Sequence, residues 1–338
     1  MKKSLLVFCV VALAVSAFAS SHPNVGPGGA RYATDAYPGF DDDAANRKPE
    51  RKMPHWFAWL TGPKRDNAKD QLAWCVDEIK SESWSSAAKG LDALVRAWPS
   101  APEAAKAQKA LADVQYGHFR DYERAFAEYR YLLDFYSLQC NYDQIVARLY
   151  EIAGKMREEG KTIVFFRFAN TVDVRRAYEA AVLRAPGAAF VPDAMLTIAE
   201  LREEDEEYEE AIAVYENLRN LRPGTAEAFT ALRREAKARL EVLRAFGYNR
   251  DRCRDTENFL KLAIANDPAG ADELKPLLAE VTDHIEDEAY ASAKFYDSRT
   301  RTVRSAINAY ETFVRDYPAS RHVAEAQARL EELKGKEQ

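Results

Sequence analysis

The chain has 338 residues, 47% apolar and 30% charged, which excludes both a largely disordered chain and a polytopic membrane protein. A formal net charge of -6 lacks the basic footprint of a general nucleic-acid binder. Only 14 glycines are present, too few for Gly-rich phosphate loops or turn-dense β folds.

Residues 1–19 read as a secretory signal peptide. Lys2 and Lys3 form the positive end, Leu5 to Val15 is an uncharged and mostly apolar run, and Ala17-Phe18-Ala19 is a small-residue cleavage site. Phe8, not a small residue, precedes Cys9, so no lipobox is formed. Residues 20–65 are rich in Pro, Gly and Asp with no period of 2 or 3.6, which predicts a disordered linker. Within it, Trp56, Phe57, Trp59 and Leu60 cluster, as a short docking segment or as a cap on the first hydrophobic layer. Cys75, Cys140 and Cys253 follow with no C-x-x-C, which leaves room for one disulfide or for three buried thiols.

Residues 66–334 predict an all-α fold, a tetratricopeptide-repeat solenoid of about six helix pairs. Apolar residues recur at helical spacing, as in Ala87, Leu91, Leu94 and Val95. Prolines fall at helix ends and not inside helices: Pro99, Pro186, Pro223, Pro268 and Pro318. Twelve, eight and five residues ahead of Pro99 lie Ala87, Leu91 and Leu94. The same offsets give Ala211, Tyr215 and Leu218 before Pro223, and Ala306, Tyr310 and Phe313 before Pro318. Ser137 stands in for the proline after Ala125, Tyr129 and Leu132. Two weaker copies are Val174, Tyr178 and Ala181 before Pro186, and Thr256, Leu260 and Ala263 before Pro268. This small-large-large pattern marks the second helix of each pair. The small residue lets two helices approach closely, and the large ones fill the space to the next pair. Wider spacings in the third, fifth and sixth units predict longer helices or loops there. Such repeats bury their apolar faces only against neighbours, which predicts one continuous stack. Phe246-Gly247-Tyr248-Asn249 breaks the periodicity and marks 245–256 as a candidate hinge.

Catalytic patterns are missing from the sequence. The five histidines form no H-E-x-x-H, and neither G-x-S-x-G nor a P-loop occurs. No enzyme activity and no cofactor are therefore expected. The acidic run at 203–207 falls where a turn between repeat helices belongs and reads as a solvated turn. Arg299, Arg301 and Arg304 occupy the equivalent turn of the last repeat. The second unit crowds Tyr116, Phe119, Tyr122, Phe126, Tyr129, Tyr131, Phe135 and Tyr136. One helix stripe cannot bury all of these, so some tyrosines should reach a groove surface that recognises peptide. The apolar segment 163–168 extends a helix, packs across the stack, or forms a ridge for a partner.

Ala306-Ile307-Asn308-Ala309-Tyr310-Glu311 through Asp316-Tyr317-Pro318, preceded by Ala293-Lys294-Phe295-Tyr296, resembles the last repeat of the BamD (YfiO) family of outer-membrane β-barrel assembly components. The long third unit, Tyr150-Glu151-Ile152-Ala153 to Ala185-Pro186, is similar to that family's long-insert form. The resemblance implies a non-catalytic periplasmic scaffold, associated peripherally with the outer membrane. Its implied partners are β-barrel precursor peptides and the periplasmic domains of the barrel insertase. Tyr116, Phe119 and Tyr129 then become precursor-binding residues, and Phe295, Tyr296, Arg299, Arg301 and Arg304 insertase contacts. Members of that family are usually lipoproteins, and no lipobox appears here. The alternatives are a cell-envelope coordinator of the Tol–Pal or cell-division type, or another tetratricopeptide adaptor.

Overall fold

A computed structural model describes residues 62–162, 171–299 and 303–337. The predicted leader, most of the predicted linker, the aromatic cluster at 56–60 and the apolar segment 163–168 lie outside the described residues. The described residues form thirteen α-helices and contain no strand. The chain divides into two compact units, Met1–Phe165 and Phe166–Gln338. The first unit holds α1 (Ala68–Lys80), α2 (Trp84–Ala97), α3 (Ala104–Val114), α4 (Tyr122–Tyr136) and α5 (Tyr142–Thr162). The second holds α6 (Thr171–Arg184), α7 (Val191–Glu204), α8 (Tyr208–Leu221), α9 (Ala226–Phe246), α10 (Arg250–Asn266), α11 (Ala271–Arg299), α12 (Val303–Asp316) and α13 (Val323–Glu337). Within each unit every helix packs on the next one in the chain, and in the second unit α9 also touches α7 and α11. Stacked helix hairpins of the tetratricopeptide type have this contact order.

The proline-indexed pattern accounts for the packing. All eighteen positions (six copies of three) are buried, including those of the two weaker copies. Each of the five prolines stands two residues beyond the end of its helix, as with α8 ending at Leu221 ahead of Pro223. The residue before proline cannot stay helical, and Trp98, Arg222 and Asp267 all leave the α region there. The helix starts are capped in turn. Asn67, Asp121, Thr225 and Asn249 each accept a hydrogen bond from a backbone N–H in the first turn of α1, α4, α9 and α10.

Longer helices explain the wide spacings. α5 and α9 have 21 residues each and α11 has 29, about 44 Å of helix. Contrary to expectation, one proline does lie inside a helix: Pro276, in the second turn of α11. The carbonyl that it cannot bond belongs to Asp272, an exposed residue of the first turn. The candidate hinge at 245–256 is likewise corrected. The helix does break at Gly247, but Leu243 and Cys253 on either side share one buried cluster with Leu240, Leu260 and Leu274. The cluster packs continuously across the break.

The turn inside three hairpins carries a feature that the pattern did not reveal. Glu82, Arg120 and Glu206 have φ of 59°, 53° and 60°, and each lies seventeen residues ahead of its index position, 99, 137 or 223. After Glu82 and Glu206 the chain closes in the same way, with Ser83 N–H donating to Glu78 and Glu207 N–H to Arg202, both at 2.8 Å. Glycine is the ordinary occupant of such a position, and none marks these turns.

Buried polar groups are tied between helices. Gln71 donates to the Gly90 carbonyl at 3.1 Å and accepts from the Lys64 and Arg65 amides. Glu235, fully buried, is held by Arg219 and Arg239, each at 2.7 Å, and both guanidiniums lie over the Phe259 ring. Cys75, Cys140 and Cys253 are all free thiols, and burial pushes Cys75 up to about 11.

Candidate functional site

The first unit places its aromatic residues at two depths. Tyr129 is 1% exposed, and its hydroxyl donates to Asp113. Tyr131 and Tyr136 are buried as well. The expectation that Tyr129 lines a groove is therefore corrected. Its ring fills the large position of the repeat, and a carboxylate on the preceding helix satisfies its hydroxyl. The same latch recurs where Tyr215 donates to Glu203 at 3.0 Å and Tyr310 to Asp297 at 3.3 Å. Burial and the Asp297 charge push Tyr310 up to about 12.

Tyr116 and Phe119 do reach the surface. Both lie on the π-helical turn Gln115–Phe119 that extends α3, a form of helix often found at functional sites. Tyr116 is half-buried, with Arg148 4.5 Å over its ring and its hydroxyl donating to Glu151. Phe119 is 40% exposed and meets the edge of His118, which stacks on Trp84 at 4.5 Å. Trp84, His118 and Phe119 thus form a contiguous aromatic surface between the start of α2 and the end of α3.

In the second unit Phe295 and Tyr296 are 59% and 44% exposed on α11, with their rings edge to face at 6.1 Å. Arg304 is exposed at the start of α12. The Arg299 side chain and all of Arg301 lie outside the described residues. Of the described members of this set, only Tyr296 lines the groove of about 480 Å³ between α10, α11 and α12. That size is typical of ligand clefts. The floor is apolar, from Ala289, Ala293, Ala309 and Phe313, and the walls carry Ser292, Asn308 and Thr312. Arg250 and Arg254 stand on the α10 side. Three helices bring these residues together across more than 60 positions of sequence. Periodicity shows which face of each helix is buried, but not which exposed faces meet.

The acidic run at 203–207 does form the α7–α8 turn, but its carboxylates are engaged rather than merely solvated. Arg175 on α6 reaches Asp205 at 3.1 Å and Glu207 at 2.9 Å, and Arg202 reaches Glu207 at 2.8 Å. Among the described residues no group of three or more His, Cys, Asp or Glu side chains is placed to hold a metal ion. No described helix is long and apolar enough to cross a membrane.

No family model matches the chain, and no curated protein matches it. Among solved structures it is similar to a tetratricopeptide repeat protein from Parabacteroides merdae, at 14% identity and a TM-score of 0.29, over 79% of this chain and 93% of that one. It is also similar to the C-terminal part of a repeat protein of the same class from Cytophaga hutchinsonii, at 12% identity and a TM-score of 0.32, over 78% of this chain and 88% of that one. The fold rests on the helix packing and the buried pattern of this chain itself.

Proposed function

We propose that this chain is a non-catalytic protein-binding scaffold whose groove between α10, α11 and α12 receives an extended segment of a partner protein. The observation that carries this reading is the groove itself. It combines an apolar floor of three alanines and Phe313 with hydroxyl and amide walls and an exposed tyrosine at its rim. An extended backbone needs both hydrogen-bonding partners and close approach, and this lining offers both. The Trp84–His118–Phe119 surface of the first unit is a second place for contact.

The setting we propose is the bacterial envelope, with a role like that of the BamD family in outer-membrane β-barrel assembly. The leader-like first nineteen residues and the motif of the last repeat support it. In-cell photocrosslinking from positions 119 and 296 tests both levels. A barrel precursor captured at 119 and the insertase at 296 is the expected result. Capture of other defined proteins would remove the barrel-assembly role and leave a scaffold. If neither position captures any protein, the scaffold reading itself is lost.

A further inference from the structure

The first unit has an exposed aromatic surface close to where its described residues begin. His118 and Phe119 are exposed and Trp84 is half-buried. His118 stacks on Trp84 at 4.5 Å and meets Phe119 at 5.1 Å. None of the three holds a repeat position, since the buried index residues of α2 are Ala87, Leu91 and Leu94. The described residues start at 62, and the chain is pinned just beyond that point. The Lys64 and Arg65 amides donate to Gln71 at 2.8 and 3.0 Å, and Gln71 donates to the Gly90 carbonyl at 3.1 Å. Trp84 precedes Gly90 on α2 by about 9 Å of helix. Just ahead of residue 62 the sequence carries Trp56, Phe57, Trp59 and Leu60. Extended chain from Lys64 back to Trp56 spans about 28 Å, enough to lay that segment over Trp84 and the two rings beside it.

We propose that Trp56, Phe57, Trp59 and Leu60 fold back over Trp84, His118 and Phe119 and cover them in the free chain. Aromatic rings gain by leaving water together, and they attract one another edge to face or offset. A segment on so short a tether is present at an effective concentration on the order of millimolar, so it occupies the surface ahead of a free partner of the same chemistry. A partner that uses this surface must first displace the segment, which is a competitor built into the chain. The proposal is independent of the groove in the second unit.

The test uses the purified full chain with p-benzoylphenylalanine at position 119. Irradiation should join position 119 to the tryptic peptide 53–64 of the same chain. A second readout is the reaction of His118 with diethylpyrocarbonate. In the variant Trp56→Ser, Phe57→Ser, Trp59→Ser, Leu60→Ser, His118 should react about tenfold faster, which corresponds to a covered form favoured by ~1.4 kcal/mol. His284, exposed in the second unit, should keep its rate. If His284 also reacts faster the variant is misfolded, and the crosslink in the chain with its natural segment decides. No crosslink to peptide 53–64, or one only to that peptide of a second copy, overturns the proposal. Equal His118 rates in the parent chain and the folded variant overturn it as well. So does a missing crosslink in a chain that the segment instead carries onto phosphatidylglycerol vesicles, which would make the segment a membrane contact. Each of these failures leaves the second-unit groove standing, because capture there is read from position 296.

Discussion

Tyr215 on α8 and Glu203 on α7 close their hairpin with a hydrogen bond of 3.0 Å, and Arg234 on α9 reaches the same carboxylate at 3.2 Å. One carboxylate therefore joins three consecutive helices. Burial raises the Glu203 carboxyl above its usual range, opposed by Tyr215 and Arg234. Tyr215→Phe keeps the packing and removes the donor. It should cost about 1–2 kcal/mol, read as a lower denaturant midpoint at unchanged slope. An unchanged midpoint would mean that the hydroxyl is equally well served by water.

Gly90 on α2 packs closely against α1. A methyl group there would sit 2.8 Å from the Cys75 sulfur and against the Trp74 ring. Gly90→Ala should destabilise the first unit by about 2 kcal/mol, despite the better helix propensity of alanine. A gain in thermal stability would show that Trp74 and Cys75 move aside without cost.

The three left-handed turn residues permit the opposite change. Glu82 is exposed, and its φ of 59° strains any residue with a Cβ. Glu82→Gly relieves that strain but adds freedom to the unfolded chain, so the expected net gain is about 0.5–1 kcal/mol. Differential scanning calorimetry reads the sign directly, and a loss of stability would place the turn's determinant elsewhere.

The buried face of this chain was legible in its sequence, and which of its exposed faces meet in the groove was not. Counting back from Pro268 picked out Thr256, Leu260 and Ala263, all buried, although their residue types fit the pattern poorly. Position carried the information there because proline and the helix repeat fix geometry regardless of side chain. Tyr129 shows the limit of that reading. A crowded aromatic helix suggested surplus rings at the surface, but Asp113 on the preceding helix lets Tyr129 bury its hydroxyl. Arg250 and Asn308 are further apart in sequence than any periodic signal reaches. The turns at Glu82, Arg120 and Glu206 were invisible because no glycine announces them.

Asp297 gives a pH dependence whose sign follows from its partners. The hydrogen bond from Arg329 holds its carboxyl below the usual range, with burial opposing. A carboxyl depressed in the folded state contributes stability that is fully present above its unfolded pKa of about 3.9. That contribution is lost as the pH falls through the lower folded value. Melting curves from pH 7 to pH 2.5 should show Asp297→Asn less stable than the parent chain at neutral pH and converging with it at the acid end. Parallel curves throughout would mean that Asp297 is not held by Arg329 in solution.

The length of α11 bears on how the second unit comes apart. Its Leu274, Val281 and Ile285 belong to one buried cluster, and its Tyr290 and Ala293 belong to another. In most repeat arrays each hairpin melts as its own element, coupled to its neighbours only across an interface. Here one helix runs through two successive cores, so neither core can dissolve without fraying the helix that supports the other. The last two layers behave as one cooperative block, and the groove along that helix keeps its shape until the whole block is lost.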